Sequence, residues 1–223
     1  MDREQLMAMG PYILLSWINT ELRDDADSFE EICAMYDVKP EEIIEKLTEV
    51  NVSYDIDRNQ FVSSEALVYE TLKKLNIKYE VKSHPPVYTV EDADKFDFKL
   101  PGVPCKNLFL CDRKNEKFIL VVVEDNKHID LSRLSEQLEI KGLHFASEKQ
   151  LSQQLGLKRG AVGPFGLINN LNGNVKLVVD EALRSADYVS FHPNVNTATV
   201  ILTWDDFYKY VLWCNNEVIF EEL

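Results

Sequence analysis

Three stretches of this 223-residue chain set polar or conformationally special residues among apolar ones: HPPVYT from His84, VPCKNLFL from Val103, and GPFGLINN from Gly163 with a later partner, FHPNVNTATV, from Phe191. In the second, Lys106 precedes the apolar run LFLCD, which reads as a strand. Its ammonium is therefore expected at the edge of a sheet, where a fixed cation can hold an anion or polarise a carbonyl. Asn107 follows directly and would face the other way once the strand has begun, so the two neighbours serve one site only if the backbone turns between them. Gly160, Gly163 and Gly166 surround Pro164 and Phe165. Glycine lets backbone N–H groups approach a ligand oxygen closely; the plain alternative is a tight turn with no ligand. His192 stands near the end of a strand, where it would bind or orient a ligand, act as a general base if a free ring nitrogen reached water, or simply fill a core position. Asn194, Asn196 and Thr197 would line the same hollow, the two asparagines being equally suited to turns. His84, Pro85 and Pro86 would make a stiff wall, because proline locks its own φ and restrains the residue before it. His128 and His144 match no functional element.

Several chemistries are absent from the outset. The chain has no G-x-S-x-G elbow, P-loop, H-E-x-x-H or dinucleotide fingerprint, which removes the commonest hydrolase and nucleotide-dependent classes from first place. Cys33, Cys105, Cys111 and Cys214 form no CxxC pair and lack histidines at metal-ligand spacing, which argues against a zinc site and a disulfide framework. Reduced thiols are expected, with Cys105 a small buried hydrophobe rather than a nucleophile. No apolar run approaches the roughly 20 residues that cross a bilayer, and MDREQLMAMG lacks the layout of a secretory signal, so a cytoplasmic protein without a membrane partner is expected. The formal charge of −14 argues against broad, sequence-independent binding to phosphate backbones.

The elements that must position these residues divide into two units. Residues 1 to 62 hold 15 acidic and 5 basic side chains, a net of −10, leaving 23 and 19 for the rest of the chain. In this front unit PYILLSWINTEL, a second helix after a Ser28/Glu31 capping box, and a third from Pro40 give helix-turn-helix spacing. VSYDIDRNQFV then alternates around Asp57-Arg58-Asn59, a hairpin that would complete a winged-helix shape. Its would-be reading helix, EEIIEKLTEV, carries four glutamates and one lysine, a poor face for DNA, so a packing or partner-binding module is expected. From Ser64 a larger domain follows: the amphipathic helix EALVYETLKKLNI; strands at KYEVKSH, NLFLCD and KFILVVVED; helices SRLSEQLEI, closed by Gly142, and SEKQLSQQLG, closed by Gly156; strands at GLINN, VKLVVDEAL, YVSFHP and TATVILT; and a last helix, DDFYKYVLWC, capped by Asp205 or Asp206. The sum is a mixed α/β domain, a central sheet with flanking helices, behind a small mainly helical one.

Taken in order, HPPVYT, KNLFL, PFGLIN and FHPNVNTAT resemble the editing domains that clear mischarged proline transfer RNA, the YbaK/ProX superfamily, over about residues 64 to 223. Within it they are most similar to the freestanding bacterial branch that deacylates alanyl-tRNA(Pro). The resemblance implies hydrolysis of the ester between an amino acid and the terminal ribose, helped by the neighbouring ribose hydroxyl, without metal or cofactor. It puts Lys106, Gly163 and His192 in catalysis. His84, Pro85, Asn107, Gly160, Pro164, Phe165, Gly166, Asn194, Asn196 and Thr197 would lie around the aminoacyl end. One departure stands out: the family usually carries Ser or Thr before this proline, where here Gly163 stands, so a backbone contact survives but a hydroxyl role does not. The partners implied are the acceptor end of tRNA(Pro) and, for the front unit, a prolyl-tRNA synthetase or elongation factor. Two other readings stay open: the same chemistry on cysteinyl-tRNA(Pro) or a seryl-tRNA, and a non-catalytic module that only holds transfer RNA or a synthetase.

Overall fold

Local signals start most of the front unit. Pro11 opens α2 (Pro11–Asp24), Ser28 Oγ accepts from the Glu31 N–H at 3.2 Å to open α3 (Phe29–Met35), and Pro40 opens α4 (Pro40–Thr48). The expected capping box at Ser28 is displaced by one residue, because the Glu31 carboxylate accepts from the Asp27 N–H at 2.7 Å. A further helix, α1 (Arg3–Ala8), precedes those read from the sequence; Asp2 and Gln5 cap it reciprocally at 2.9 and 3.1 Å. β1 (Val52–Asp55) and β2 (Gln60–Ser63) form the expected antiparallel hairpin. Asn59, in the left-handed region at φ +51, donates to the carbonyls of Leu22 and Ala26 and accepts from the Tyr54 hydroxyl, which ties the turn to the end of α2. Leu14, Ile18, Phe29, Ile32, Ile43 and Leu47 make a core of their own.

The computed structural model describes residues 1–86 and 101–223, so the Val87–Thr89 end of the HPPVYT stretch lies outside the described residues. After α5 (Ser64–Lys74) come β3 (Tyr79–Ser83), β4 (Val103–Cys111), β5 (Phe118–Glu124), α6 (Leu131–Gln137), β6 (His144–Phe145), α7 (Glu148–Leu155), β7 (Val175–Asp180), β8 (Tyr188–Phe191), β9 (Ala198–Thr203), α8 (Trp204–Cys214) and β10 (Val218–Glu221). The strands form one mixed sheet in the order β10-β7-β5-β4-β8-β9-β3, with β6 also on β4. One face, including Phe109, Leu120, Val122, Leu177 and Val200, is covered by α5, α7 and α8; the other, including Leu110, Val121, Val123 and Val178, is covered by α6. Burial on both faces explains why KFILVVVE reads as an unbroken apolar run rather than an alternating one. Among the described residues no helix is long and apolar enough to cross a membrane.

Four expectations are corrected. GLINN is not a strand: Pro164–Asn169 is a 3-10 turn, with the Gly166 N–H donating to Gly163 O at 3.0 Å and Asn170 to Leu167 O at 3.0 Å. A short apolar run after Gly-Pro carries no period that separates the two outcomes. Gly142 does not close α6. The helix ends with Glu139 at φ +54, the Ile140 N–H bonding Ser135 O and the Glu139 N–H bonding Glu136 O, a Schellman arrangement that needs no glycine once Ile140 is buried. The cap of α8 is Thr203, whose Oγ1 accepts from the Asp206 N–H at 3.2 Å, so the helix starts before both aspartates. Finally, β4 begins at Val103, so Lys106 lies inside the strand and not ahead of it. The partner that extends the strand, β8, is distant in sequence and invisible to local reading.

Candidate functional site

The position of β4 in the sheet creates the site. β4 and β8 run parallel but pair only through Val103 with Val189 and Pro104 with Ser190. Past that point they part, and among the described residues that edge of β4 next meets a strand at Leu110 and Cys111, through β6. Asn107 from β4, Gly163 at the start of the 3-10 turn and His192 just after β8 come together there. A Cβ placed on Gly163 would sit 3.6 Å from the His192 carbonyl oxygen and 3.8 Å from Asn107 Nδ2. Asn107 Oδ1 is buried with no hydrogen-bond partner among the described residues, an unmet acceptor at the crevice.

Lys106 enters from the opposite face to Asn107. Lys106 pairs across the strand with Val123 and Asn107 with Val122, and these two valines belong to the two different cores. The backbone does not turn between the neighbours, so they cannot share one face; they flank the parting of β4 and β8 from its two sides. By the same alternation, Val189 and Phe191 of β8 face the larger core with Asn107, which puts Ser190 on the Lys106 face.

His192 is oriented by its own turn. Its Nδ1 lies 2.8 Å from the Ala198 carbonyl oxygen, which requires an N–H there and leaves Nε2 as the acceptor nitrogen of the neutral ring. Burial pushes the pKa of this imidazole below its ordinary value, the Ala198 carbonyl opposes the shift, and the neighbouring His84 reinforces it. The His84 ring stands 5.5 Å from that of His192, centroid to centroid. His84 is held by its N–H to Thr197 O at 2.9 Å, by Nδ1 to Pro85 O at 2.8 Å, and by Nε2 to Thr199 Oγ1 at 3.0 Å. Thr197 itself is exposed and contributes only its carbonyl, so the hydroxyl that meets the histidine pair is that of Thr199, a residue the sequence reading passed over. The signal was there: Thr199 is one of two polar positions in the strand ATVILT, and the one next to a turn rich in asparagine.

The remaining candidates separate. Phe165 is fully buried, edge-on to Tyr210 at 5.0 Å, and belongs to the core beneath the crevice. Gly166 is a packing glycine, since a Cβ there would meet Leu157 Cδ1 at 2.6 Å. Pro164 is buried and its carbonyl accepts from the Tyr210 hydroxyl at 3.3 Å, and Asn194, at φ +62, donates from Nδ2 to Phe165 O at 3.3 Å. Asn194 and Tyr210 therefore hold the turn from below rather than line it. Gly160, at φ +82, makes the bend leading into the loop, Asn196 is half-buried and Pro85 exposed. Burial pushes the Cys105 thiol up to about 12, the state of an inert core cysteine. Among the described residues no group of three or more His, Cys, Asp or Glu is gathered as metal ligands.

The two loop glycines give opposite expectations. Gly163 has φ −172, extended backbone that any residue adopts, with ordinary contact distances around a new Cβ, so Gly163→Ser should keep the melting temperature within roughly 2 °C. Gly166→Ala forces Leu157 to move and should cost about 1–3 kcal/mol, roughly 2–10 °C. Thermal unfolding of both variants followed by circular dichroism checks the pair; equal shifts would show the loop is not seated as described.

A mixed sheet with helices on both faces is a class of small α/β fold already known in solved structures. A protein described as a candidate trans-editing enzyme for prolyl-tRNA synthetase superposes with a TM-score of 0.55 at 17% identity, over 71% of this chain and 96% of that one, a likeness of fold. Residues 84–210 match the aminoacyl-tRNA editing domain, and the chain belongs to that family. Residues 8–61 match a domain of unknown function, DUF4250. The prolyl-tRNA editing protein ProX of Acetoanaerobium sticklandii is 39% identical over 157 residues, covering 70% of this chain and 92% of that protein. The prolyl-tRNA synthetase associated domain-containing protein 1 of Bos taurus is 36% identical over 66% of this chain and 87% of its own length.

Proposed function

We propose that this chain is a trans-editing deacylase that hydrolyses the ester of mischarged tRNA(Pro), with alanyl-tRNA(Pro) as its substrate. The observation that carries the reading is the meeting of Asn107, Gly163 and His192 where β4 and β8 part, in a chain 39% identical to a prolyl-tRNA editing protein. An aminoacyl ester is activated, so positioning one water and stabilising the developing oxyanion are sufficient help. In this reading the Lys106 ammonium holds the acceptor end or polarises the ester carbonyl. The Gly163 backbone N–H, the donor at a turn whose Pro164 has none, receives the oxyanion as water adds. The acyl–oxygen bond then breaks, the ribose oxygen leaves with a proton, and free amino acid is released. The vicinal ribose hydroxyl assists in placing that water or proton. His192 Nε2, an acceptor in the neutral ring, orients the attacking water or that hydroxyl. Selection of alanine over proline is steric: a pocket sized for a methyl group excludes the pyrrolidine ring, and a clash in a rigid pocket has no ceiling comparable to the roughly 1–3 kcal/mol gained from one methylene.

The test is release of labelled amino acid from alanyl-, cysteinyl-, seryl- and prolyl-tRNA under single-turnover conditions. Alanyl-tRNA(Pro) should be cleaved at least about tenfold faster than the others, a factor within reach of one methylene's worth of discrimination. Faster cleavage of a cysteinyl or seryl ester moves the specificity, and tight binding without turnover of any ester overturns the hydrolase reading.

A further inference from the structure

We propose that residues 1–63 are an internal brace for the site: they hold the segment 148–171, which carries the Gly160–Gly166 loop, in register with Asn107 and His192. That the loop belongs to a deacylase site rests on the function proposed above; the mechanical claim does not. The seam is built from α4, the helix whose glutamates make it a poor reader of nucleic acid. α4 packs along α7. Glu45 accepts from Gln153 Nε2 at 2.9 Å and lies 3.7 Å from Lys149 Nζ. The Glu49 carbonyl accepts from Lys158 Nζ at 2.9 Å, and Glu41 from Asn172 Nδ2 at 3.4 Å. Where a helix-turn-helix unit would present its reading helix, α4 is turned onto its own chain, with Glu45 against Lys149 and the Glu49 carbonyl against Lys158. At the hairpin end, Ser53 Oγ and Ser64 Oγ are 2.6 Å apart and both residues are buried. Ile44, Val52, Tyr54 and Phe61 face Asn169 and Leu171 across a small cavity.

From that seam the contact runs unbroken to Gly163. Asn169 Nδ2 donates to Leu155 O at 2.7 Å and Asn170 Nδ2 to Gln154 O at 3.2 Å, so the end of α7 and the 3-10 turn are tied together. Gly156, at φ +60, lets Asn169 lie against the helix end: a Cβ there would be 2.9 Å from Asn169 Nδ2. Gly166 similarly admits Leu157. A shift of α7 must therefore carry Gly163 with it, and misplacing a reacting contact by about 1 Å can cost on the order of 10²-fold in rate. These contacts reach the supports of the loop rather than the site itself, and through them the front unit sets where the loop stands.

The test uses the full chain. Ser53→Leu wedges the buried serine contact apart; Glu45→Lys sets a cation against Lys149, and Lys149→Glu added to it restores opposite charges. Hydrogen exchange of residues 157–170 and kcat/KM for alanyl-tRNA(Pro) are read together. Ser53→Leu should speed exchange in that segment and lower kcat/KM about tenfold while β4, β5 and β7 keep their protection. Glu45→Lys should give a smaller change of about threefold, in keeping with a partly exposed ion pair, and the added Lys149→Glu should reverse it. Unchanged exchange at 157–170 in Glu45→Lys, or a change that Lys149→Glu does not reverse, overturns the brace, and this arm decides alone if Ser53→Leu loses protection throughout the sheet. Absence of turnover in the unmodified chain sinks the deacylase reading instead, and the exchange measurements still decide the brace.

Discussion

Lys106→Ala is expected to lower kcat/KM for alanyl-tRNA(Pro) by about 10²–10³, a loss of roughly 3–4 kcal/mol of transition-state stabilisation, while the protein stays folded. The size follows from where charge develops. Hydrolysis of an ester builds negative charge on the carbonyl oxygen, and a cation brought to it away from bulk water is worth more there than in water. Folding should be spared because Lys106 is only half-buried and its strand is held on the other side by seven consecutive pairs with β5, Cys105 to Cys111. Truncating a half-buried side chain leaves room for water rather than a sealed void. Lys106→Arg keeps the charge but exchanges a compact ammonium for a planar fork, so it should recover only part of the rate. Single-turnover deacylation with circular dichroism on the same samples decides the matter. A Lys106→Ala protein that hydrolyses the ester at close to the wild-type rate would remove the lysine from the mechanism.

What could be read from the sequence was whatever is decided within a few residues. Pro11, Ser28 and Pro40 announce helix starts, Gly156 in its left-handed conformation announces the end of α7, and the apolar runs on either side of Asp112–Glu116 announce the β4–β5 hairpin. The elements that escaped are those settled by distant partners. β6 exists because two residues find the edge of β4, and β10 because Val218–Glu221 finds β7; neither is long enough to show a period. The 3-10 turn at Pro164 replaces a strand because Tyr210 and Asn194, both remote in sequence, take its carbonyls. The site divides along the same line. The ordered segments pointed to Asn107, Gly163 and His192, but their meeting depends on β4 and β8 pairing for two residues and then separating, which no local pattern encodes. The facing of Lys106 away from Asn107 was conditional on where β4 begins, and that start is fixed by Val103 finding Val189. Phe165 and Gly166 looked like loop residues near a ligand because they flank special positions; packing against Tyr210 and Leu157 makes them the floor instead.

His192 should give the deacylation rate an acid limb with a midpoint below the ordinary histidine pKa of about 6.5. Burial disfavours the imidazolium, and the Ala198 carbonyl already occupies the Nδ1 proton, so the ring that works at neutral pH is the neutral one with Nε2 as acceptor. Protonation places a hydrogen on Nε2 and removes that acceptor, so activity must fall as the pH drops through the folded-state pKa. Stability follows the same sign. Between the folded and the unfolded pKa the unfolded chain binds the proton that the folded chain refuses, so the stability contribution is complete above about pH 6.5 and declines as pH falls toward the depressed folded value, by up to about 1.4 kcal/mol for each unit separating the two. His84, 5.5 Å away, adds to the lowering, because positive charge on that side opposes a charge on the His192 ring. His192→Ala should lower kcat by about 10²-fold if Nε2 positions a proton or a water, and should abolish the acid limb that the wild type shows. A variant whose rate falls while its acid limb persists would locate that ionisation on another group and reduce His192 to a wall of the crevice. If the wild-type midpoint lies above 6.5, the ring is not held in the buried, Ala198-bonded state from which its acceptor nitrogen was assigned.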